Sequence, residues 1–279
     1  MYNINIMKKV AVFGIGHFGK FHIREYLKCD CKVVAILCRT QESISKKLEL
    51  IKKLYNIEPK GYYDIKTLFD ENNIDVVSIC TTDETHEKYI DICLNYNVDI
   101  FCEKPILLCH KSINKTNKLI DFINKSNKSN KLLTQNTQMI TILTNIKNKI
   151  PKNINSLEIC IGNNLEISNK KFTSILPHIN SILIELLGIH NIENIQTDAN
   201  SIKFIYNNCS INYILHLTEK GKKNIFYIKI NNKKYERFIS NDYKRQYIET
   251  ENETIDIIDP LHTFIKEFVN NKTIKKENT

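Results

Sequence analysis

Three of the chain's seven glycines fall within six residues, Gly14-Ile15-Gly16-His17-Phe18-Gly19. A short apolar run, Val10 to Phe13, leads into them, and a helical pattern follows to about Lys28. At this spacing Gly14 suits a tight turn, Gly16 lets a pyrophosphate approach the backbone, and Gly19 lets the helix lie close to the strand. The first N–H groups of that helix and its positive dipole end then face the phosphates. The chemistry suggested is dinucleotide binding. A purely structural turn is the competing reading, and the scarcity of glycine elsewhere weighs against it.

Three further places carry candidate chemistry. The run Lys32–Leu37 ends at Cys38-Arg39-Thr40, a corner without the carboxylate that would hold the adenosine ribose hydroxyls of NAD. Arg39 can pair there with a 2′-phosphate and Thr40 can add a donor, so NADP is favoured over NAD; the alternative is that Arg39 stacks on adenine or points to solvent. Lys104 follows the run Asp99–Cys102, at the strand edge where open α/β sheets bind ligands. An ammonium there can donate to a substrate hydroxyl and to the nicotinamide, or help move a proton. His178 stands beside Pro177 at the apparent start of a helix. A neutral imidazole near pH 7 can take the proton released when an alcohol loses hydride; a capping or core histidine is the plain alternative.

The elements that must position these residues follow from periodicity. Val10–Phe13, Lys32–Leu37, Val76–Cys80 and Asp99–Cys102 are apolar at nearly every position and separated by helical stretches, among them Gln41–Asn56, with Ile44, Leu48, Ile51 and Leu54 on one face. Such strands imply a parallel sheet covered on both faces, a doubly wound α/β fold. Beyond Pro151 the runs Ser156–Ile161, Ile202–Tyr206, Ile211–Leu217, Ile225–Ile230 and Lys234–Ile239 follow one another with few helices. A mainly antiparallel sheet in a second, α+β domain is expected. The expected division is 1–106 for the nucleotide domain and 107–279 for a substrate and oligomerisation domain. Helices are expected at Leu176–Leu187 and at Pro260–Asn270, the latter able to pack back on the first domain.

Composition removes several classes. Of 279 residues, 42% are hydrophobic and 25% charged, which excludes wholesale disorder. No apolar run reaches the ~18 residues of a membrane span. The nine cysteines form no C-x-x-C pair, so neither zinc nor a disulfide framework is suggested and a reducing cytoplasm fits. The net charge of +9 arises from lysine spread along an Asn-, Ile- and Lys-rich chain, which is poor support for nucleic-acid binding.

The motifs together resemble the Gfo/Idh/MocA oxidoreductases. The glycine window is followed by His22; Thr81-Thr82-Asp83-Glu84-Thr85-His86 is similar to the family's T-P-x-x-x-H, with Thr82 in place of proline; and Glu103-Lys104-Pro105 resembles its E-K-P signature. The resemblance implies a Rossmann domain with Gly14 to Gly19, Cys38 to Thr40, Thr81 to Asp83, His86, Glu103 and Lys104 around an NADP or NAD cofactor. It implies catalysis by Lys104 and His178 on an alcohol or ketone of a sugar, sugar nucleotide or cyclitol, and a homo-oligomer. The family's catalytic histidine is typically preceded four residues earlier by aspartate; here that residue is Ser174. Substrate contacts are expected from the segments Gln135–Gln138 and Asn163–Phe172 and from the helix carrying His178, with Gln135, Ser174 and Asn180 as the named candidates. Two other readings stand beside the enzyme: a cofactor-binding regulatory protein without catalysis, and an imine or bilin reductase.

Overall fold

The computed structural model describes residues 7–108, 114–163, 169–217, 225–240 and 245–270. They belong to two compact units, one running to Asn136 and taking up the chain again from Leu261, the other Thr137–Pro260.

The first unit opens β1 (Lys9–Phe13), α1 (His17–Lys28), β2 (Lys32–Leu37), α2 (Gln41–Tyr55), β3 (Lys60–Tyr62) and α3 (Ile65–Glu71). It continues β4 (Val76–Ile79), α4 (Asp83–Cys93), β5 (Asp99–Cys102), α5 (Asn114–Lys128) and β6 (Leu133–Gln135). The six strands pair in parallel in the order β3-β2-β1-β4-β5-β6, as the doubly wound expectation requires. Strands that are buried on both faces need an apolar side chain at nearly every position, and β1, β2, β4 and β5 have it. Val10, Val12, Ile36 and Phe101 face Ile23 and Tyr26 of α1 and Ile44 and Ile51 of α2. Ala11, Phe13, Val77 and Ile79 face Leu68 of α3, Ile90 of α4 and Phe122 of α5. Strand order reverses between β1 and β4, so their carboxyl ends flank the crevice where such sheets bind ligands.

The second unit contains α6 (Thr141–Ile146), β7 (Ser156–Asn163) and α7 (Asn169–Leu187). There follow β8 (Ile192–Thr197), β9 (Ser201–Tyr206), β10 (Cys209–Leu217), β11 (Ile225–Ile230), β12 (Lys233–Ile239), β13 (Gln246–Glu249) and β14 (Thr254–Ile257). They form one sheet in the order β14-β13-β12-β11-β7-β10-β9-β8. It is mainly antiparallel, with β7 and β10 its parallel pair. One face carries the core, where Leu157, Ile159, Tyr213 and Ile228 meet Ile142 of α6 and Ile179 and Ile182 of α7. Alternate residues point the other way, and there Glu158 accepts from Asn212 Nδ2 at 2.8 Å and from the Tyr227 hydroxyl at 2.9 Å.

The chain then closes with α8 (Pro260–Asn270), whose Leu261, Ile265, Phe268 and Val269 join the apolar cluster of β1 and α1. His262 Nδ1 lies 3.0 Å from Glu25 Oε2, a fully buried carboxylate on α1 that also pairs with Arg24 and Lys28.

Two differences from the expected elements have physical causes. α7 begins at Asn169, so Pro177 lies inside the helix and His178 in its middle, where a helix start was expected. Proline removes one N–H and is disfavoured in helix interiors, which is why a pattern reading begins the helix at it. Strands β8, β13 and β14 were not anticipated. All six residues of β8 are exposed, and the other two strands are four residues each, so burial leaves little pattern in them.

Candidate active site

The glycine window occupies the turn from β1 into α1. Gly14 has φ +84°, and a Cβ there would stand 2.8 Å from the Cys80 carbonyl oxygen and 2.9 Å from Thr81 Cα. The turn therefore lies directly against the end of β4, and only glycine fits. A Cβ on Gly19 would come within 2.1 Å of the Gly14 carbonyl oxygen, so this glycine sets how closely α1 packs on its own turn. Around Gly16, by contrast, nothing lies within 4 Å of an added Cβ. Gly16 is also the N-cap of α1, with no side-chain hydrogen bond to the first turn. Open space in front of uncapped helix N–H groups suits a pyrophosphate, so the residues present fit a nicotinamide dinucleotide. Ile15 is buried under the turn, while His17 and Phe18 are exposed, with Phe18 at 48%.

At the end of β2 the Cys38 side chain is buried and its N–H donates to the Tyr62 carbonyl at 2.7 Å. Arg39 and Thr40 are exposed on the crevice edge of the sheet, Thr40 as the N-cap of α2. After β4, Thr82 caps α4, and the Thr85 hydroxyl bridges Thr81 Oγ1 and the Thr82 carbonyl at 2.7 Å each. Asp83 opens the helix, partly exposed.

The turn after β5 is the most heavily tied part of this edge. Glu103 is 6% exposed, yet His22 Nε2 donates to its Oε1 at 2.7 Å and Asn136 Nδ2 donates to the same oxygen at 2.6 Å. The other ring nitrogen of His22 lies 2.9 Å from Ser78 Oγ. Burial alone would raise the Glu103 carboxyl, but the hydrogen bond and charge of His22, with Asn136 and Lys104, bring it down to about 2. Burial likewise opposes charge on His22, and Cys80 and Glu103 outweigh it, raising that ring to about 10. Both shifts favour the charged pair, an imidazolium against a carboxylate. Lys104 is partly buried, and its peptide bond to Pro105 is cis. His86, fully buried, lies between two carbonyl oxygens, Pro105 O at 2.8 Å from Nδ1 and Thr81 O at 3.1 Å from Nε2. Gln135 accepts the Ile106 N–H at 2.8 Å through its amide oxygen.

In the second unit His178 is 7% exposed, on the shoulder of the apolar stripe formed by Ile175, Ile179 and Ile182. Its carbonyl accepts from Ser181 Oγ at 2.8 Å. Asn180 accepts from the Tyr213 hydroxyl at 3.3 Å. The Ser174 side chain and the 163–172 segment's side chains lie outside the described residues, as do residues 164–168 altogether.

The structure thus gathers Gly14–Gly19, Cys38–Thr40, Thr81–His86 and Glu103–Lys104 along one edge of one sheet. Ser78 and Asn136 complete the Glu103 cluster; Ser78 was not singled out from the sequence, and Asn136 lay only within the Gln135–Gln138 segment expected to contact substrate. Ser78 interrupts an apolar run and Asn136 sits within a polar one, and only the sheet order brings them to the Glu103 cluster. Among the described residues no helix is long and apolar enough to cross a membrane.

Comparison with known proteins agrees with this fold. Residues 8–132 match the family described as an oxidoreductase family with an NAD-binding Rossmann fold, Gfo/Idh/MocA. The inositol 2-dehydrogenase of Salmonella typhimurium is 30% identical over 120 residues, 39% of this chain. The match spans only a third, 33%, of that relative's length. Among solved structures, UDP-N-acetylglucosamine 3-dehydrogenase of Acidithiobacillus ferrooxidans superposes with a TM-score of 0.72. That likeness covers 95% of this chain and 88% of the other at 14% identity. A Thermus thermophilus dehydrogenase solved with NAD and UDP-GlcNAcA reaches 0.67 over 95% and 89% at 13% identity. At such identities the likeness is one of fold, and it extends through both units.

Proposed function

For a chain whose residues 8–132 match the Gfo/Idh/MocA oxidoreductase family, we propose an NAD(P)-dependent dehydrogenase that interconverts an alcohol and a ketone on a sugar, sugar nucleotide or cyclitol. The observation that carries this is the placement of Lys104 at the carboxyl end of β5, on the same sheet edge as the open space at Gly16. The dehydrogenases of similar sequence and fold support the substrate class.

In the oxidative direction a hydride leaves the carbinol carbon and a proton leaves its oxygen. A bound nicotinamide supplies the hydride acceptor. The backbone N–H groups at Gly16 and the first turn of α1 would hold the pyrophosphate. The Lys104 ammonium donates to the reacting hydroxyl and stabilises the alkoxide character that develops as hydride departs. His178 is the proposed acceptor of the hydroxyl proton, with Ser174 too weak a partner to hold its charge as a carboxylate would. More of the proton handling then falls to Lys104. Gln135 and Asn180 are proposed substrate contacts, and assembly into a homo-oligomer is part of the same reading. The NADP preference at this corner rests on Arg39, which is exposed at the end of β2 and could pair with a 2′-phosphate, whereas the Thr40 side chain is met by the Glu42 carboxylate in the first turn of α2.

The test is turnover of a panel of cyclitols, sugars and sugar nucleotides with each cofactor. Lys104→Ala is expected to lower kcat by about 10²–10⁴-fold while leaving the cofactor Kd nearly unchanged. Arg39→Ala should weaken NADP and spare NAD. Tighter binding of NAD with Arg39→Ala harmless would overturn the cofactor preference, and unaltered kcat in Lys104→Ala would overturn the mechanism.

A further inference from the structure

The turn that carries Lys104 is gripped by side chains from three other elements. His22 of α1 and Asn136 after β6 both donate to Glu103 Oε1, at 2.7 and 2.6 Å. His86 of α4 lies 2.8 Å from the Pro105 carbonyl. Gln135 of β6 accepts the Ile106 N–H at 2.8 Å. The backbone joins in, with Glu103 N–H donating to the Ile79 carbonyl at 2.8 Å and Asn136 N–H donating to the Cys102 carbonyl at 2.7 Å.

This arrangement is more than the turn's stability demands. Placing a carboxylate and an imidazole together out of water is costly, and an apolar pair of the same volume often serves a core equally well. Here the polar choice sits one residue before the proposed catalytic lysine and one turn beyond the glycine that closes the pyrophosphate loop. We propose that His22, acting through Glu103, is a positioning residue that fixes the Lys104 turn relative to the helix holding the cofactor phosphates. The claim rests on the dehydrogenase reading for its catalytic consequence. Its structural part stands independently, since all the residues belong to the first unit.

A directional fit explains the residue types. Glu103 offers acceptors only, so its oxygen draws a donor from α1 and another from the segment after β6 and cannot slip between them without losing one. The imidazole reaches both ways: its second nitrogen meets Ser78 of β4 at 2.9 Å, and the ring edge packs on Phe101 with centroids 5.5 Å apart. Rotating the ring to release Glu103 therefore also breaks contacts to β4 and β5. The turn, α1 and three strands move together or not at all.

Two substitutions separate positioning from mere packing. His22→Phe keeps the ring's bulk and removes both nitrogens, whereas His22→Gln retains a donor able to reach Glu103. Because a misplacement of about 1 Å can cost ~10²-fold in rate, His22→Phe should lower kcat by about ten- to a hundredfold while the cofactor Kd changes by less than about twofold. Amide hydrogen exchange over 103–108 should quicken in His22→Phe and stay near wild type in His22→Gln, which should also keep most of its kcat. If His22→Phe does not fold, Asn136→Leu, which removes the second donor, is expected to slow turnover and quicken exchange in the same segment.

Unchanged kcat and unchanged exchange in His22→Phe would overturn the proposal. So would equal losses in His22→Gln and His22→Phe, or a kcat loss matched by loss of cofactor affinity, because either would mark a general packing role. Should the wild-type protein oxidise no alcohol, the dehydrogenase reading fails, and exchange over 103–108 still decides whether His22 holds the turn.

Discussion

A carboxylate at 6% exposure is tolerable only when its charge is met on the spot, and Glu103 is met by His22 and Asn136. That makes the pair a pH sensor of stability whose sign can be worked out. Glu103 falls from its usual 4.5 to about 2 in the folded chain, so its contribution is complete above 4.5 and is lost as pH drops towards 2. His22 rises from 6.5 to about 10, so its contribution is complete below 6.5 and is lost as pH climbs through about 10. The pair contributes fully only between those limits. Glu103→Gln, which keeps the shape and removes the charge, should flatten the acid limb of Tm against pH between 4.5 and about 2. Parallel acid limbs in the two chains would show that other carboxylates set it. None of this was legible residue by residue. His22 and Glu103 are 81 positions apart, and only parallel pairing across β1, β4 and β5 brings them together.

Elements were easier to read where burial is two-sided. β1, β2, β4 and β5 announce themselves because a strand covered on both faces needs apolar side chains at consecutive positions. β8 carries no such constraint and left no signal, and α7 was shortened because Pro177 resembles a helix start. The glycine window was legible because each glycine answers a different demand, and substitution should separate them. Gly19→Ala forces its Cβ towards the Gly14 carbonyl, so α1 must shift; overpacking of this kind typically costs about 1–3 kcal/mol. Gly16→Ala meets nothing in the protein, so Tm should hold while the new methyl occupies the approach of the pyrophosphate. The expected pattern is lost stability in one variant and lost cofactor affinity alone in the other. A Gly16→Ala chain that binds NAD and NADP as tightly as wild type would remove the phosphate from this turn.

At the scale of the whole chain, the feature with the largest consequence is its return. After the second unit, α8 comes back to the first and places Leu261, Ile265, Phe268 and Val269 against β1, α1 and Phe101. The sequence offered the helix, since its apolar residues recur at helical spacing, and left its docking open because an amphipathic face does not name its partner. Full burial of such side chains is worth about 1.5–3 kcal/mol each, an upper bound because unfolded chains already bury part of that surface. Four of them together rival the ~5–15 kcal/mol that holds a typical domain. Their removal would also leave Glu25, fully buried on α1, without His262, its partner at 3.0 Å. Because α1 is the helix proposed to present its N-terminus to the cofactor, loosening its buried face should be felt at the opposite one. A chain ending at Asp259 is therefore expected to lose cofactor binding and hydrogen-exchange protection in β1 and α1. The sheet of residues 156–257 should keep its protection, since among the described residues that core includes none from α8. Full cofactor affinity in the shortened chain would show that the first unit is complete without its returning helix.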